Sequence, residues 1–211
     1  MTISSLATAG GTLVLAAATF ASVRSANRAA RVAEQSLLAG IRPLLMPSRP
    51  DDPTQKVGFA DGHWVMLPGG SGTVRIEDDG AFLTISLRNA GTGIAVLHGW
   101  RVDPASAYGP VGSPLERPPL DEFRRLTRDL YIAAGDIGFW QGAVRDAGEA
   151  EFDVLSQRVR ERERVVVDLL YGDHQGGQRV ISRFGLMARA QDDGWFAVVV
   201  RHWNVDRPDP R

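Results

Sequence analysis

The stretch Ile3–Val23 holds twenty-one residues without a charged side chain, and Arg24 closes it. A helix rises about 1.5 Å per residue, so this length reaches roughly 30 Å, the thickness of a bilayer's hydrocarbon core. A charge along the way would cost several kcal/mol. The expectation is a transmembrane helix over residues 1–23. Its strong apolar residues are few: Ile3, Leu6, Leu13, Val14, Leu15, Phe20 and Val23. The rest is Ala, Thr, Ser and the pair Gly10-Gly11, which makes a weak anchor. Ser4, Thr8, Thr12 and Ala16 recur every four residues, a spacing that permits a second helix to approach closely in lipid. Self-association through this helix is one reading, and low hydrophobicity with no partner is the plainer one. Two further readings stay open. A cleaved signal peptide lacks its basic n-region here, although Ala16-Ala17-Ala18 and Ala21 offer small-residue sites. A buried helix of a soluble domain is the other.

Flanking charge sets the orientation. Arg24, Arg28 and Arg31 follow the span and no basic side chain precedes it. The positive-inside rule then gives a single-pass protein of the cell membrane, N-terminus outside and C-terminal domain cytoplasmic. Residues 24–41 continue as a juxtamembrane amphipathic helix. Arg24, Arg28, Arg31 and Gln35 share one face, and Ala26, Ala30, Ala33, Leu37 and Ile41 another. The three arginines form a membrane-proximal basic face suited to anionic headgroups; since three arginines are few, a solvated stalk is the simpler account of them. Gly40 and Pro43 supply the stop.

From Arg42 the period changes from helical to alternating. Residues 42–205 read as mainly β, an antiparallel β-sandwich with two short helices, followed by a flexible tail over 206–211. Strands are expected at Leu44–Met46, His63–Leu67, Thr73–Ile76 and Phe82–Leu87, the last two joined by an Asp78-Asp79-Gly80 hairpin. Leu83, Ile85 and Leu87 share one face, the alternation of a half-buried strand. Further strands fit Ile94–Val102, Leu130–Ile132, Phe139-Trp140, Val165–Tyr171, Arg179–Met187 and Trp195–Trp203. Residues 104–119 carry five prolines and read as a long loop. A first helix is expected after Pro118-Pro119. Asp121 and Glu122 sit in its first turn, Arg124, Arg125 and Arg128 near its end, and Leu120, Phe123 and Leu126 face inward. A second spans Glu149 to about Glu163, with Phe152, Leu155 and Val159 facing inward.

Leu87-Arg88-Asn89-Ala90-Gly91-Thr92-Gly93-Ile94-Ala95 resembles the strand–turn–strand of bacterial immunoglobulin-like sandwich domains. Asn and Gly tolerate positive φ, so a sharp turn is expected there, and small residues at Gly93 and Ala95 allow close packing. Together with Arg42-Pro43-Leu44-Leu45 after an N-terminal helix, the stretch resembles a diffuse group of uncharacterised single-span bacterial membrane proteins with such a domain. That resemblance implies the fold and no activity.

Chemistry-bearing residues are sparse. Cysteine is absent, which rules out disulfides and thiolate metal sites. The net charge of −1 gives no case for nucleic acid binding. His63, His98, His174 and His202 form no metal-ligand spacing. The weak ligand-site candidates are Asp173 and His174 in a Gly-rich turn, His202, and Trp140; a turn that needs Asp and Gly explains the first pair without a ligand. His98 and His202, near Trp100 and Trp203, are placed to pair across a face or to be satisfied core histidines. Asp168 interrupts an apolar run and needs a partner if buried, with Arg179, Arg183 or Arg201 available on neighbouring strands. Trp64, Trp100, Phe139, Trp140, Trp195 and Trp203 fit a core better than a ligand face. The expectation is a non-enzymatic binding or scaffold protein with no catalytic residue, cofactor or metal. Its partners are the lipid bilayer and a protein. A membrane-tethered ligand sensor and a hydrolytic or metal enzyme are the alternatives.

Overall fold

The computed structural model describes residues 3–78, 80–103 and 115–209; of Ile3–Gly10 and Ala39 it describes the backbone alone. The chain divides between Gly40 and Ile41 into two units.

The first unit is one helix, α1, Ile3–Gly40. The expected span and the juxtamembrane helix are thus a single element. Several of its apolar side chains are exposed: Leu13 is 73 % exposed and Phe20 69 %. No helix among the described residues is long and apolar enough to cross a membrane. The charge-free part with described side chains, Gly11–Val23, measures about 20 Å, short of a hydrocarbon core of about 30 Å. The remainder of the expected span, Ile3–Gly10, with Ser4 and Thr8 of the small-residue ladder, has side chains outside those described.

The second unit is mainly β. Its strands are β1 (Leu45–Pro47), β2 (Gln55–Gly58), β3 (Trp64–Leu67), β4 (Ser71–Glu77), β5 (Gly80–Asn89), β6 (Ala95–Asp103), β7 (Arg124–Ile132), β8 (Ile137–Val144), β9 (Val165–Asp173), β10 (Arg179–Ala188) and β11 (Trp195–Asn204), with α2 (Ala150–Glu161) between β8 and β9. Among the described residues, nine of these strands form one antiparallel sheet in the order β1-β5-β4-β11-β10-β9-β6-β7, with β8 pairing β5. β4 takes residues 80–85 of β5, so β8, which takes residues 81–88, lies on the opposite edge. The strand path therefore starts at β8 and ends at β7. Near its two ends Trp140 of β8 meets Trp100 of β6, ring centroids 5.3 Å apart. A flat sheet cannot bring those strands together, so the sheet curls around its core. Leu155 of α2 is fully buried in that core, with Phe152 and Val159 packed beside it, as their spacing requires.

β5 departs from the half-buried expectation. Leu83, Ile85 and Leu87 face the main core, but Phe82 is buried on the other side under the β2–β3 hairpin, with Phe59, Val65 and Ala143. With a hairpin from 55–67 laid across the outer face, β5 is buried on both sides, Thr84 and Ser86 being hydrogen-bonded there to Thr73, Ser48 and Gln55. The helix expected after Pro118-Pro119 is a second departure. Only Leu120–Glu122 forms a 3-10 turn, and Arg124–Ile132 is strand β7. Leu130 and Ile132 alternate inward with period two and are fixed by pairing with β6, while Leu126, also packed on the core, lies in the irregular stretch between the paired residues 125 and 130. The acid-then-base order that suits a helix dipole belongs here to a turn and an exposed strand. Of the long loop, residues 104–114 lie outside those described, as do Asp79 of the hairpin turn and residues 210–211 of the expected tail. Within that tail, Asp206 accepts from Arg42 (2.6 Å) and Asp209 from the Asn204 N–H (2.7 Å).

Candidate binding seam between β7 and β8

β7 and β8 are joined by the four residues Ala133–Asp136, short enough for a hairpin, yet among the described residues β7 pairs only β6 and β8 pairs only β5. Asn89 at the end of β5 is the cause. Its N–H donates to Asp136 O (3.0 Å) and its carbonyl accepts from Gly135 N (2.9 Å). Its Nδ2 donates to Ile132 O (3.0 Å) and to Gly93 O (2.6 Å), while its Oδ1 accepts from Leu44 N (3.2 Å) and Gly91 N (3.0 Å). Three main-chain groups of the β7–β8 turn are thus held by one buried residue, and the strands diverge from it. The sequence singles out this stretch, but for another reason. Neither Asn89, Gly91 nor Gly93 takes a positive φ. Glycine is needed for space: a Cβ on Gly91 or Gly93 would meet the main chain of residues 41–44.

The divergence opens a cleft of about 330 Å³. Arg124, Arg125, Leu126 and Thr127 line it from β7, and Gln141, Gly142 and Ala143 from β8, with Arg145 just beyond. Trp100 forms part of the wall, and Gly142 leaves room for Trp100 and Trp140 to close together. Arg124 lies over the Trp100 ring, 5.6 Å from its centroid. Arg124 also pairs with Glu149 and, at 3.0 Å, with Glu151. The Glu149 hydrogen bond raises the Arg124 pKa, burial opposes it, and Glu151 adds to the rise. Arg145 pairs with Asp61 at 2.9 Å, and Asp61 also meets His63. Burial pushes the Asp61 carboxyl up, but those two contacts hold it below its ordinary range. The lining carries three arginines and, among the described residues, no carboxylate.

The other chemistry-bearing groups have structural tasks. Asp168, fully buried, receives a fork from Arg183 (2.8 and 2.8 Å) and a contact from Arg101 (3.1 Å). Arg183 is one of the three expected partners; Arg101, on the far side of Asp168, is not among them. Asp103 joins the same cluster, 2.5 Å from Arg183 and 3.1 Å from Arg101. Burial pushes the Asp168 carboxyl up and the two guanidiniums pull it back. His202 Nδ1 is 2.6 Å from Ser182 Oγ, which is 2.8 Å from the Tyr171 hydroxyl, which accepts from Leu45 N (3.1 Å). Burial lowers the His202 pKa, so the ring is neutral at pH 7. The order Leu45 N–H to Tyr171, Tyr171 O–H to Ser182, Ser182 O–H to His202 leaves no buried hydroxyl proton without an acceptor. Ser182 is fully buried, so this serine–histidine pair belongs to a relay that ties four strands together, β1, β9, β10 and β11, and offers a substrate no approach.

The four sequence candidates do not assemble. His174 is exposed in the β9–β10 turn, Asp173 is buried and accepts from Gln178 N (3.0 Å), and Trp140 is fully buried core. His98 and His202 cannot pair: β9 and β10 separate their strands, a gap of about 14 Å. Trp100, Trp140, Trp195 and Trp203 are buried as a core requires, while Trp64 is 60 % exposed on β3. Arg24, Arg28 and Arg31 are exposed on one stretch of α1. Sequence reasoning missed the seam because it placed Arg124, Arg125 and Arg128 on a helix; the period-two pair Leu130 and Ile132 was the available signal. The chain matches no known family model, no curated protein and no solved structure.

Proposed function

We propose that the protein is a non-enzymatic binding or scaffold protein, held at the cell membrane by α1 and presenting its β-domain to a protein partner in the cytoplasm. The observation that carries this reading is α1 itself. Leu13, Val14, Leu15, Phe20 and Val23 are all more than half exposed on a helix that buries none of them. Apolar surface of that extent is unfavourable in water and calls for lipid or another helix. The crossing needs Ile3–Gly10 to complete its length, and Arg24, Arg28 and Arg31 then fall on the cytoplasmic side. The β-domain supports the binding part of the reading: Asp168 and the Ser182–His202 pair are committed to holding strands together, whereas the seam is open. The immunoglobulin-like sandwich is proposed on the same footing. Trp140 of β8 against Trp100 of β6, strands near the two ends of the path, supports a reading of two facing layers over one core.

Membrane fractionation with a C-terminal topology reporter tests the placement. The expected result is a chain that resists carbonate extraction, with the reporter active in the cytoplasm. A carbonate-extractable chain, a mature N-terminus near Ser22, or a reporter active only outside would overturn it.

A further inference from the structure

The seam has a chemistry specific enough to name an occupant. We infer that it takes an extended, acidic strand of a partner protein, which enters between β7 and β8 and closes the curled sheet. This rests on the binding-protein reading and goes further, since it fixes where the partner binds and what kind of segment binds.

Two independent features point there. The first is main chain. β7 and β8 are the two ends of the strand path, and among the described residues each pairs on one side only. Their free edges border the same cleft. An unpaired edge is a template for an added strand, and here two edges bound one gap, so an inserted segment satisfies donors and acceptors on both of its sides. Most sheets avoid leaving such edges bare. This one keeps them apart by capturing the turn main chain with Asn89.

The second feature is charge. Arg124, Arg125 and Arg145 border the cleft. Arg124 is already paired with Glu149 and Glu151 and Arg145 with Asp61, so the charge the seam offers a ligand is carried first by Arg125. Arg125 and, further along β7, Arg128 are exposed. A segment with Glu or Asp at alternate positions sets its carboxylates on one face at the strand repeat, about 6.6 Å, where guanidiniums on β7 can meet them. Trp100 and Leu126 give the inward face of such a segment an apolar wall. Free phosphate or single-stranded RNA would use the arginines but not the two main-chain edges.

The test uses the full chain in mild detergent and a fluorescent decapeptide alternating Glu with Val or Thr, read by polarisation. The Glu peptide is expected to bind at least tenfold tighter than its Lys counterpart and tighter than a ten-residue oligouridine. Arg125→Glu/Arg128→Glu should weaken it at least tenfold, while Arg160→Glu, an exposed arginine on α2, should leave binding within twofold. Tryptophan fluorescence reports whether each variant is folded. Peptides N-methylated at odd or at even positions lose donors on one side only; both should bind poorly, and amide exchange should slow on both 124–127 and 141–144. Equal binding of the Lys peptide or of oligouridine, insensitivity to the double variant, or protection of one strand alone would overturn the inference. Photo-crosslinking in cells from exposed Tyr131 separates the two levels. A crosslinked partner retained in the double variant sinks the seam and spares the binding reading; no crosslinked partner in the wild type sinks the binding reading itself.

Discussion

Two pairs of consecutive strands in the β-domain begin alike and end differently. β9 and β10 are joined by a short turn with a positive φ at Gly176, and β7 and β8 by one with a positive φ at Gly135. The first pair zips from Arg179↔Gly172 to Leu186↔Val165. The second does not pair. A turn suited to a hairpin therefore does not decide that a hairpin forms; competition for the turn's main-chain groups does. At β9–β10 the turn is closed by its own members, Asp173 N donating to Gln178 O (3.0 Å) and Gln178 N to Asp173 Oδ1 (3.0 Å). At β7–β8 the same kinds of group are bonded to Asn89. The interiors differ too. β9 is buried almost throughout, and the carboxylate in its middle, Asp168, is met by Arg183 of β10 and Arg101 of β6. β7 exposes most of its length and keeps its arginines at the surface.

The strongest way to break the zipped pair is through Asp168. Its removal leaves Asp103 as the carboxylate that the two buried guanidiniums share, with the exposed Glu122 on Arg101. Losing one partner of a buried ion pair costs about 3–5 kcal/mol, mostly the penalty of the charge left behind. Asp168→Asn is therefore expected to lower the unfolding free energy by an amount in that range, read by urea titration of tryptophan fluorescence. All five tryptophans lie in the β-domain, so the signal belongs to it. Asp168→Leu combined with Arg183→Met should recover part of the loss. Full stability in Asp168→Asn would show that the cluster is held by Asp103 alone.

At the splayed pair the corresponding residue is Asn89. Asn89→Ala removes four side-chain hydrogen bonds, two of them fully buried, at about 1 kcal/mol net for each buried bond and somewhat less for the others. A loss of about 2–3 kcal/mol is expected, together with faster amide exchange at Leu44 and Gly91, whose donors lose their acceptor. An unchanged exchange pattern would mean that Asn89's main chain, not its side chain, splits the hairpin. Asn89→Asp, which keeps the acceptor but turns a carboxylate toward the Gly93 and Ile132 carbonyls, should be no better than alanine at pH 7.

Much of this architecture is legible in the order of the residues. Alternation places β5, β9, β10 and β11 to within a residue or two, and the i, i+3, i+7 apolar spacing places α2, because burial on one face writes itself into local period. Asp168 announces its own need for a partner. What local pattern cannot carry is the long-range placement of other segments. Nothing near Phe82 says that a hairpin from 55–67 will cover it. Nothing near Gly135 says that a residue forty-six positions earlier will take its N–H. For Arg124–Arg128, a local rule about helix dipoles gives the wrong element because β6, the partner that makes this stretch a strand, lies more than twenty residues away. The candidate site suffers most, since it is made by two edges that fail to meet, and an unmade contact leaves no sequence pattern of its own.

The smallest expected effect at neutral pH sharpens the zipped side. Tyr171 of β9 is fully buried, and burial pushes its phenol up to about 12 although Ser182 and the Leu45 N–H oppose the rise. Tyr171→Phe loses two hydrogen bonds of one relay, at about 1 kcal/mol at pH 7, the ring itself being kept. Alkali reveals more. In the unfolded chain tyrosine ionises near pH 10, while in the folded chain the proton is retained to about pH 12. Between those values the folded state binds more protons than the unfolded one, so stability falls as pH rises, by about 1.4 kcal/mol per unit for a single group. With one lysine in the whole chain, few other groups titrate in that window. The wild type should lose about 2–3 kcal/mol between pH 10 and 12, and Tyr171→Phe much less, so the two stability curves should cross in alkali. His202 marks the opposite flank. Its burial-lowered pKa makes the folded state the poorer proton binder, and stability should fall as pH drops below about 6.5. Parallel curves for wild type and Tyr171→Phe above pH 10 would mean that the phenol meets water before the strands part, and that the β9–β10 pair opens more readily than its burial implies.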